Sequence, residues 1–357
     1  SAVFELNEKA EIQKEWFGRT VILSDHRFTY EDAQKVIEDE KGKLAAELLL
    51  LNKLAEQMRL KRMQAGAISF ERLETKFRLD EKGNLIEIYF KESKAAHKLI
   101  EEFMLLANRK VAEFIGKQSL PFVYRVHDEP DPDKLQTFSE FLKKFGYGLQ
   151  TSNRKKIATS MNQVLADVHG KEEANMIETL AIRTMAKASY TTENIGHYGL
   201  AFSHYSHFTS PIRRYPDVIV HRLLQHYLNK GKAADKETIE QLCKHASQQE
   251  IKATKAERDS IKYMQAKYMS ERIGITFEGI ISSVTDFGMF VEITNTGCEG
   301  LIKIREIPND YYFFNENNYC LEGTNTGNIY QLGDIVKVKV RKVDINKREI
   351  DLTLLLY

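Results

Sequence analysis

Cysteine is scarce in this 357-residue chain: only Cys243, Cys298 and Cys320 occur. They lie far apart with no Cys-x-x-Cys pair, which excludes a disulfide framework and a zinc site and fits free thiols in a reducing cytoplasm. Long apolar runs are missing as well. The longest, Leu48 to Leu51 with its flanks, falls far short of the ~20 residues of a membrane span. Neither sign of charge is in excess, with 52 Lys and Arg against 51 Asp and Glu, so a nucleic-acid site must be a local patch. None of the ten histidines falls in an HExxH or other paired-ligand spacing. No stretch rich in Gly, Pro or Ser divides the chain, which predicts parts packed together, not tethered. A signal-peptide pattern and an initial Met are absent too. The chain opens directly in a strand, Ser1-Ala2-Val3-Phe4-Glu5-Leu6, as a fragment entered in mid-sheet would.

The length supports two domains, and the hydrophobic fraction of 42% supplies an ordinary core. Strands are expected over 2–6 and 16–24, then a helix after Arg27-Phe28-Thr29-Tyr30-Glu31. A second helix from about Lys43 to Met63 carries its leucines at helical spacing. A hairpin over Thr75–Asp80 and Leu85–Phe90 precedes a helix from Lys94 to about Ile115, capped by Ser93. Phe122–Val126 reads as a strand, and Leu135–Phe145, Lys155–His169 and Ala174–Ala188 as helices. A long helix from about Lys236 to Glu271 would bury a side that includes Ile239, Ala246, Ala253, Ala256 and Met264. From Ile275 the period becomes two, with strands at Thr276–Val284, Gly288–Ile293, Glu299–Lys303, Asp334–Val343 and Glu349–Leu354. The fold class is thus an α+β part over 1–272 followed by an all-β, five-stranded barrel over 273–357.

The stretch Ala201 to Arg222 organises the rest. It begins apolar and aromatic, as a strand would, and breaks at Thr209-Ser210-Pro211, a capping pair before a first-turn proline. A helix starting at Pro211 would place Arg213 and Arg214 among the free N–H groups of its first turn, where an anionic phosphate binds well. His204, Tyr205, His207 and Phe208 would offer flat rings to bases. The plainer alternative is a strand–helix corner whose arginines pair with carboxylates such as Asp217.

The string His207-Phe208-Thr209-Ser210-Pro211-Ile212-Arg213-Arg214-Tyr215-Pro216-Asp217, followed by His221-Arg222, resembles the signature of the ribonuclease II / ribonuclease R family of 3′-to-5′ exoribonucleases. Gly196-His197-Tyr198-Gly199-Leu200, Arg125-Val126-His127-Asp128 and Arg27-Phe28-Thr29-Tyr30-Glu31-Asp32-Ala33 fit the same family. The likeness runs from near residue 1 to the end and is nearest to the ribonuclease R branch. It implies the C-terminal portion of an RNB catalytic domain. Gly279, Val284 to Val291, Gly300-Leu301-Ile302 and Gly333-Asp334 resemble the OB-fold RNA-binding domain repeated in a ribosomal small-subunit protein.

The resemblance implies a magnesium-dependent, processive enzyme that releases nucleoside 5′-monophosphates from the 3′ end of single-stranded RNA, cytoplasmic and monomeric. The metal-binding Asp-x-Asp-Asp loop of that family is not found in this chain, so the chain itself is expected to be inactive and to hold no metal. The acidic run Asp128-Glu129-Pro130-Asp131-Pro132-Asp133 reads as a helix lead-in capped by Asp131 or Asp133. By position, Arg213 matches the phosphate clamp, Tyr30 a tyrosine near the terminal ribose, and Glu101 a carboxylate that favours RNA by accepting the 2′-OH. Glu102 beside it is an equal candidate on residue type. Phe70 matches the aromatic that stacks on the terminal base, and Glu257 a carboxylate lining the RNA path. Arg214, His207 and Tyr215 would add RNA contacts, and Phe287, Phe290, Lys303 and Lys339 would face RNA on the barrel. The competing reading is a non-catalytic RNA-binding or scaffold homologue.

Overall fold

The computed structural model describes residues 1–69, 74–83, 85–171, 174–315 and 320–356. Along the chain run β1 (Ala2–Leu6), β2 (Ile12–Phe17), α1 (Tyr30–Asp39), α2 (Ala45–Gln64), the hairpin β3 (Glu74–Leu79) and β4 (Leu85–Lys91), and α3 (Ala95–Gly116). Then come β5 (Tyr124–Val126), α4 (Pro132–Lys144), α5 (Arg154–Val168), α6 (Ala174–Thr184), β6 (Ser189–Thr191), α7 (Tyr215–Leu228) and α8 (Lys236–Ser270). Beyond α8 the elements are β7 (Thr276–Thr285), β8 (Gly288–Ile293), β9 (Cys298–Lys303), β10 (Tyr312–Asn315), β11 (Cys320–Gly323), β12 (Ile329–Gln331), β13 (Ile335–Asp344) and β14 (Glu349–Leu355). The chain divides into two compact units, Ser1–Glu71 with Ser93–Gln163 and Arg183–Glu250, and Arg72–Glu92 with Val164–Ile182 and Ile251–Tyr357.

In the first unit, β1 and β2 pair antiparallel around a turn made by Asn7, whose Oδ1 accepts from the N–H groups of Lys9 and Glu11. The strand expected over 16–24 lies earlier, and Val21, Ile22 and Leu23 are exposed. Thr29 caps α1 through the Asp32 N–H. Lys94, not Ser93, stands at the start of α3 and makes no side-chain cap there. Asp131 caps α4 with Pro132 in its first turn, as the lead-in reading expects, and Gly146 ends it at φ +79°. The core gathers Val111 and Ile115 of α3, Phe122 and Val123 beside β5, Val220 and Leu224 of α7, and Ile239 and Cys243 of α8.

The second unit contains a closed barrel in the order β13–β14–β9–β8–β7. Alternation builds it: Val336, Val338 and Val340 point inward while Lys337 and Lys339 point out. Gly288 is required where β8 meets β9, because a Cβ there would stand 2.2 Å from the Ile302 carbonyl oxygen. A second sheet, β10–β11–β12, was not foreseen. Asp310 organises its approach, its carboxylate accepting from the N–H groups of Tyr311, Asn325 and Thr326. α8 corrects another expectation. Ile239 and Ala246 are buried near its start and Ala266 and Met269 near its end, but Ala253 and Ala256 are exposed. At 35 residues the helix is about 52 Å long, more than one core can cover.

Candidate nucleic-acid interface

The stretch 201–214 is neither strand nor helix. Phe202 forms an isolated bridge to His197, and the chain then runs extended, its Tyr205 carbonyl accepting from the Arg125 N–H. Asn108, buried on α3, holds it: Oδ1 accepts from the N–H groups of Phe208 at 2.8 Å and Thr209 at 3.1 Å, and Nδ2 donates to the Tyr205 hydroxyl. The Ser206 hydroxyl donates to the Val123 carbonyl at 2.6 Å. Tyr205 and Phe208 are buried, so they offer no face to bases, contrary to expectation.

His207 also turns inward. Burial, reinforced by Arg214 and Arg125, pushes its imidazole down to about 2. Burial raises the Tyr190 phenol to about 12, and its hydroxyl is hydrogen-bonded to Nδ1 of the neutral His207 ring at 2.7 Å. His197 is held near 3 by burial and by His127, on which it stacks. Burial lowers His127 as well; its Nε2–H donates to the Ala186 carbonyl and its Nδ1 accepts from the Gly199 N–H.

The helix after the signature begins at Tyr215, not Pro211, and its first-turn proline is Pro216. The cause is Asp217. Fully buried in that first turn, its Oδ1 accepts from the Ser210 N–H and from Arg214 Nη2, both at 2.8 Å. The Ser210 carbonyl in turn accepts from the N–H groups of Arg213 and Arg214. Asp217 thus supplies the anion that the helix N-terminus attracts, and Arg214 is its partner, not a free RNA contact. Arg213, one residue earlier, is exposed and pairs with no carboxylate among the described residues. Tyr215 is exposed beside it.

A second cluster lies between α1 and the start of α3. Tyr30, 42% exposed, stacks on His97 with centroids 4.2 Å apart and planes at 9°. Gln34 joins the helices, its Oε1 accepting from the Ala96 N–H. Glu101 is one turn beyond His97 on the same face of α3. The two neighbouring glutamates differ in their surroundings. Glu102 is buried and bonded to Arg62, whereas the Glu101 side chain is 51% exposed and its Oε1 lies 3.9 Å from the same guanidinium. His97, which sequence reasoning missed, connects Tyr30 to that face. Phe70 lies outside the described residues. The chain leading to it is fastened by Ile68 N–H to the Gly199 carbonyl and by Asn162 to Ala67 and Ser69.

On the barrel, Phe287 and Phe290 meet edge to face and border a groove of about 490 Å³ with Lys303. Lys303 pairs with Asp351 at 3.2 Å. Lys339, on β13, is exposed but does not line this groove, and Glu257 is exposed on α8. Among the described residues no group of three or more His, Cys, Asp and Glu could hold a metal. Asp131 and Asp128 accept from backbone N–H groups. The described residues do not fit a magnesium pair. No helix of the described residues is long and apolar enough to cross a membrane.

Comparison with known proteins finds two matches along the chain. The RNB domain model matches residues 1–230, and the S1 RNA binding domain model matches 271–355. Ribonuclease R of Aquifex aeolicus is 38% identical over 94% of this chain and 49% of its own length. Ribonuclease R of Escherichia coli is 34% identical over 95% of this chain and 44% of its own. The chain spans about half the length of the curated relatives it matches. The structure of Mycoplasma genitalium RNase R in complex with ribose-methylated single-stranded RNA superposes with a TM-score of 0.92 at 28% identity, covering 99% of this chain and 57% of that one. With an RNB segment followed by an S1 barrel, the chain belongs to the RNB-domain family whose members include the ribonuclease R proteins.

Proposed function

We propose that this chain is the RNA-holding portion, RNB segment 1–272 and S1 barrel 273–357, of a processive 3′-to-5′ exoribonuclease that releases nucleoside 5′-monophosphates from single-stranded RNA. One observation carries the reading: of two adjacent arginines, Arg214 is committed to buried Asp217 while Arg213 stands free on the turn that this pair fixes. A guanidinium held on a rigid turn can grip two phosphate oxygens in one plane. Arg213 is then the phosphate clamp. Tyr30 and Glu101 meet the terminal ribose, Glu101 accepting the 2′-OH, and Phe70 stacks on the terminal base. Phe287 and Phe290 hold the strand farther along. The magnesium ions implied by the family resemblance would be held by carboxylates outside this chain. The protein is read as a cytoplasmic monomer, and Cys243, Cys298 and Cys320 are buried thiols outside any disulfide, as a reducing compartment keeps them.

Taken alone, the chain should release no mononucleotides from labelled RNA, with or without magnesium; release that stops on adding chelator would contradict this. In the longer protein that carries the carboxylates, Arg213→Lys keeps the charge and loses the planar fork. A misplacement of about 1 Å costs on the order of a hundredfold in rate, so turnover should fall ten- to a hundredfold while RNA affinity falls a few-fold. Weakened binding with intact turnover would favour the non-catalytic, RNA-binding reading of Arg213.

A further inference from the structure

The barrel groove is unusual in its charge. Among the described residues five cations line it against four carboxylates. Two of the five cations are already paired, Lys303 with Asp351 and Arg348 with Asp259 of α8. Such a groove can stack bases on Phe287 and Phe290 but neutralises few phosphates. Single-strand binders combine stacking with a cationic track for the backbone, so the track must lie elsewhere.

α8 offers one. At 100° per residue, Met269, Lys262, Arg258, Lys255 and Ile251 fall within about 40° of one line along the helix. That line changes its surroundings step by step. Met269 is fully buried, Lys262 lines the barrel groove, and Arg258, Lys255 and Ile251 are exposed. The face that packs in the second unit at one end therefore emerges as the floor of the groove and continues outward. Lys262, Arg258 and Lys255 have no carboxylate partner within salt-bridge distance among the described residues. Asp259, the nearest acid on this side, is taken by Arg348 at 3.3 Å. Glu257 points to the opposite side of the helix, about 140° away.

We propose that the stripe Lys262–Arg258–Lys255 is a backbone-binding track that extends the barrel's RNA site along α8, gripping phosphates of the strand whose bases stack at Phe287 and Phe290. It rests on the reading of this barrel as RNA-binding. The stripe spans about 10 Å from Lys262 to Lys255. A short strand fills the groove alone, and a longer one reaches the track.

The test uses the whole 357-residue chain, with oligouridylates of about four and about ten nucleotides. Affinity is read across salt concentrations for the unmodified chain, for Lys255→Gln/Arg258→Gln, and for a charge-matched control, Lys117→Gln/Lys134→Gln. Each phosphate contact contributes about 0.7 to the salt slope on a single strand. The track predicts that the stripe variant loses about 1.4 from the slope and about tenfold in low-salt affinity for the longer strand. It should leave the shorter strand, the thermal midpoint and the control unaffected. Equal loss for both lengths, loss in the control as well, or no loss at all would overturn the track while leaving the groove intact. Failure of the unmodified chain to bind either length, or loss of all binding only in Phe287→Ala without any length dependence, would overturn the track through the groove itself.

Discussion

The signature loop and the barrel groove both present candidate RNA contacts, but they are built in opposite ways. Around the signature, the polar side chains are turned into the protein. Asn108, Ser206, His207, Arg214 and Asp217 bond to backbone, to one another or to the Tyr190 hydroxyl, while Arg213 and Tyr215 remain outside. In the barrel, ladder hydrogen bonds and an inner face of Val, Ile and Leu hold the fold, while Phe287 sits 52% exposed at a turn. The lesson is that fold and site are separable in the barrel and fused at the signature. Substitutions should therefore fall on stability in one region and on affinity in the other.

Acid offers the sharpest contrast. His197 and His207 are depressed to about 3 and 2 from an ordinary value near 6.5. The unfolded chain binds more protons below that value, so their contribution is complete above pH 6.5 and is lost as pH falls toward 3. At pH 5 the two together should remove about 4 kcal/mol from the first unit. No histidine lies beyond His245, so the barrel lacks this liability. Amide exchange at pH 7.5 and pH 5 should show the RNB core opening first; simultaneous loss in barrel and core would break the contrast. Next in size is Asn108→Leu, which strands two N–H groups and a phenol. A loss of about 3 kcal/mol is expected from denaturant melts. A change below about 0.5 kcal/mol would show that Asn108 does not fasten the loop. Smaller again is Phe287→Ala, for which affinity for single-stranded RNA should drop about tenfold with an unchanged thermal midpoint. A lowered midpoint with unchanged affinity would place Phe287 in the fold and not in the site.

Much of the architecture was legible from periodicity. The cap at Asp131, the approximate ends of the barrel strands and the length of α8 followed from local chemistry. What escaped depends on distant partners. The start of α7 is set by Asp217 reaching back seven residues to Ser210, which overrides the Thr209-Ser210-Pro211 capping pattern. Asn108 in mid-helix reads as neutral; its partners lie about a hundred residues away. The β10–β12 sheet hides in Asn309-Asp310-Tyr311-Tyr312-Phe313-Phe314, where turn residues and adjacent aromatics mask any alternation. Glu101 and Glu102 are alike by type, and the 100° between them buries one against Arg62 and leaves the other half-exposed at the edge of that guanidinium.

The central claim is that the signature loop uses Arg214 for itself and leaves Arg213 for the RNA. Paired measurement of thermal stability and salt-dependent RNA affinity on Arg213→Gln and Arg214→Gln tests it most directly. Arg213→Gln should keep the thermal midpoint and reduce the salt slope by about 0.7, the share of one phosphate. Arg214→Gln leaves Asp217 buried and without its cation, a loss of about 3 to 5 kcal/mol that should appear as a midpoint lowered by several degrees. The reverse partition, with Arg213→Gln unfolding the protein and Arg214→Gln reducing the salt slope at an unchanged midpoint, would contradict the account.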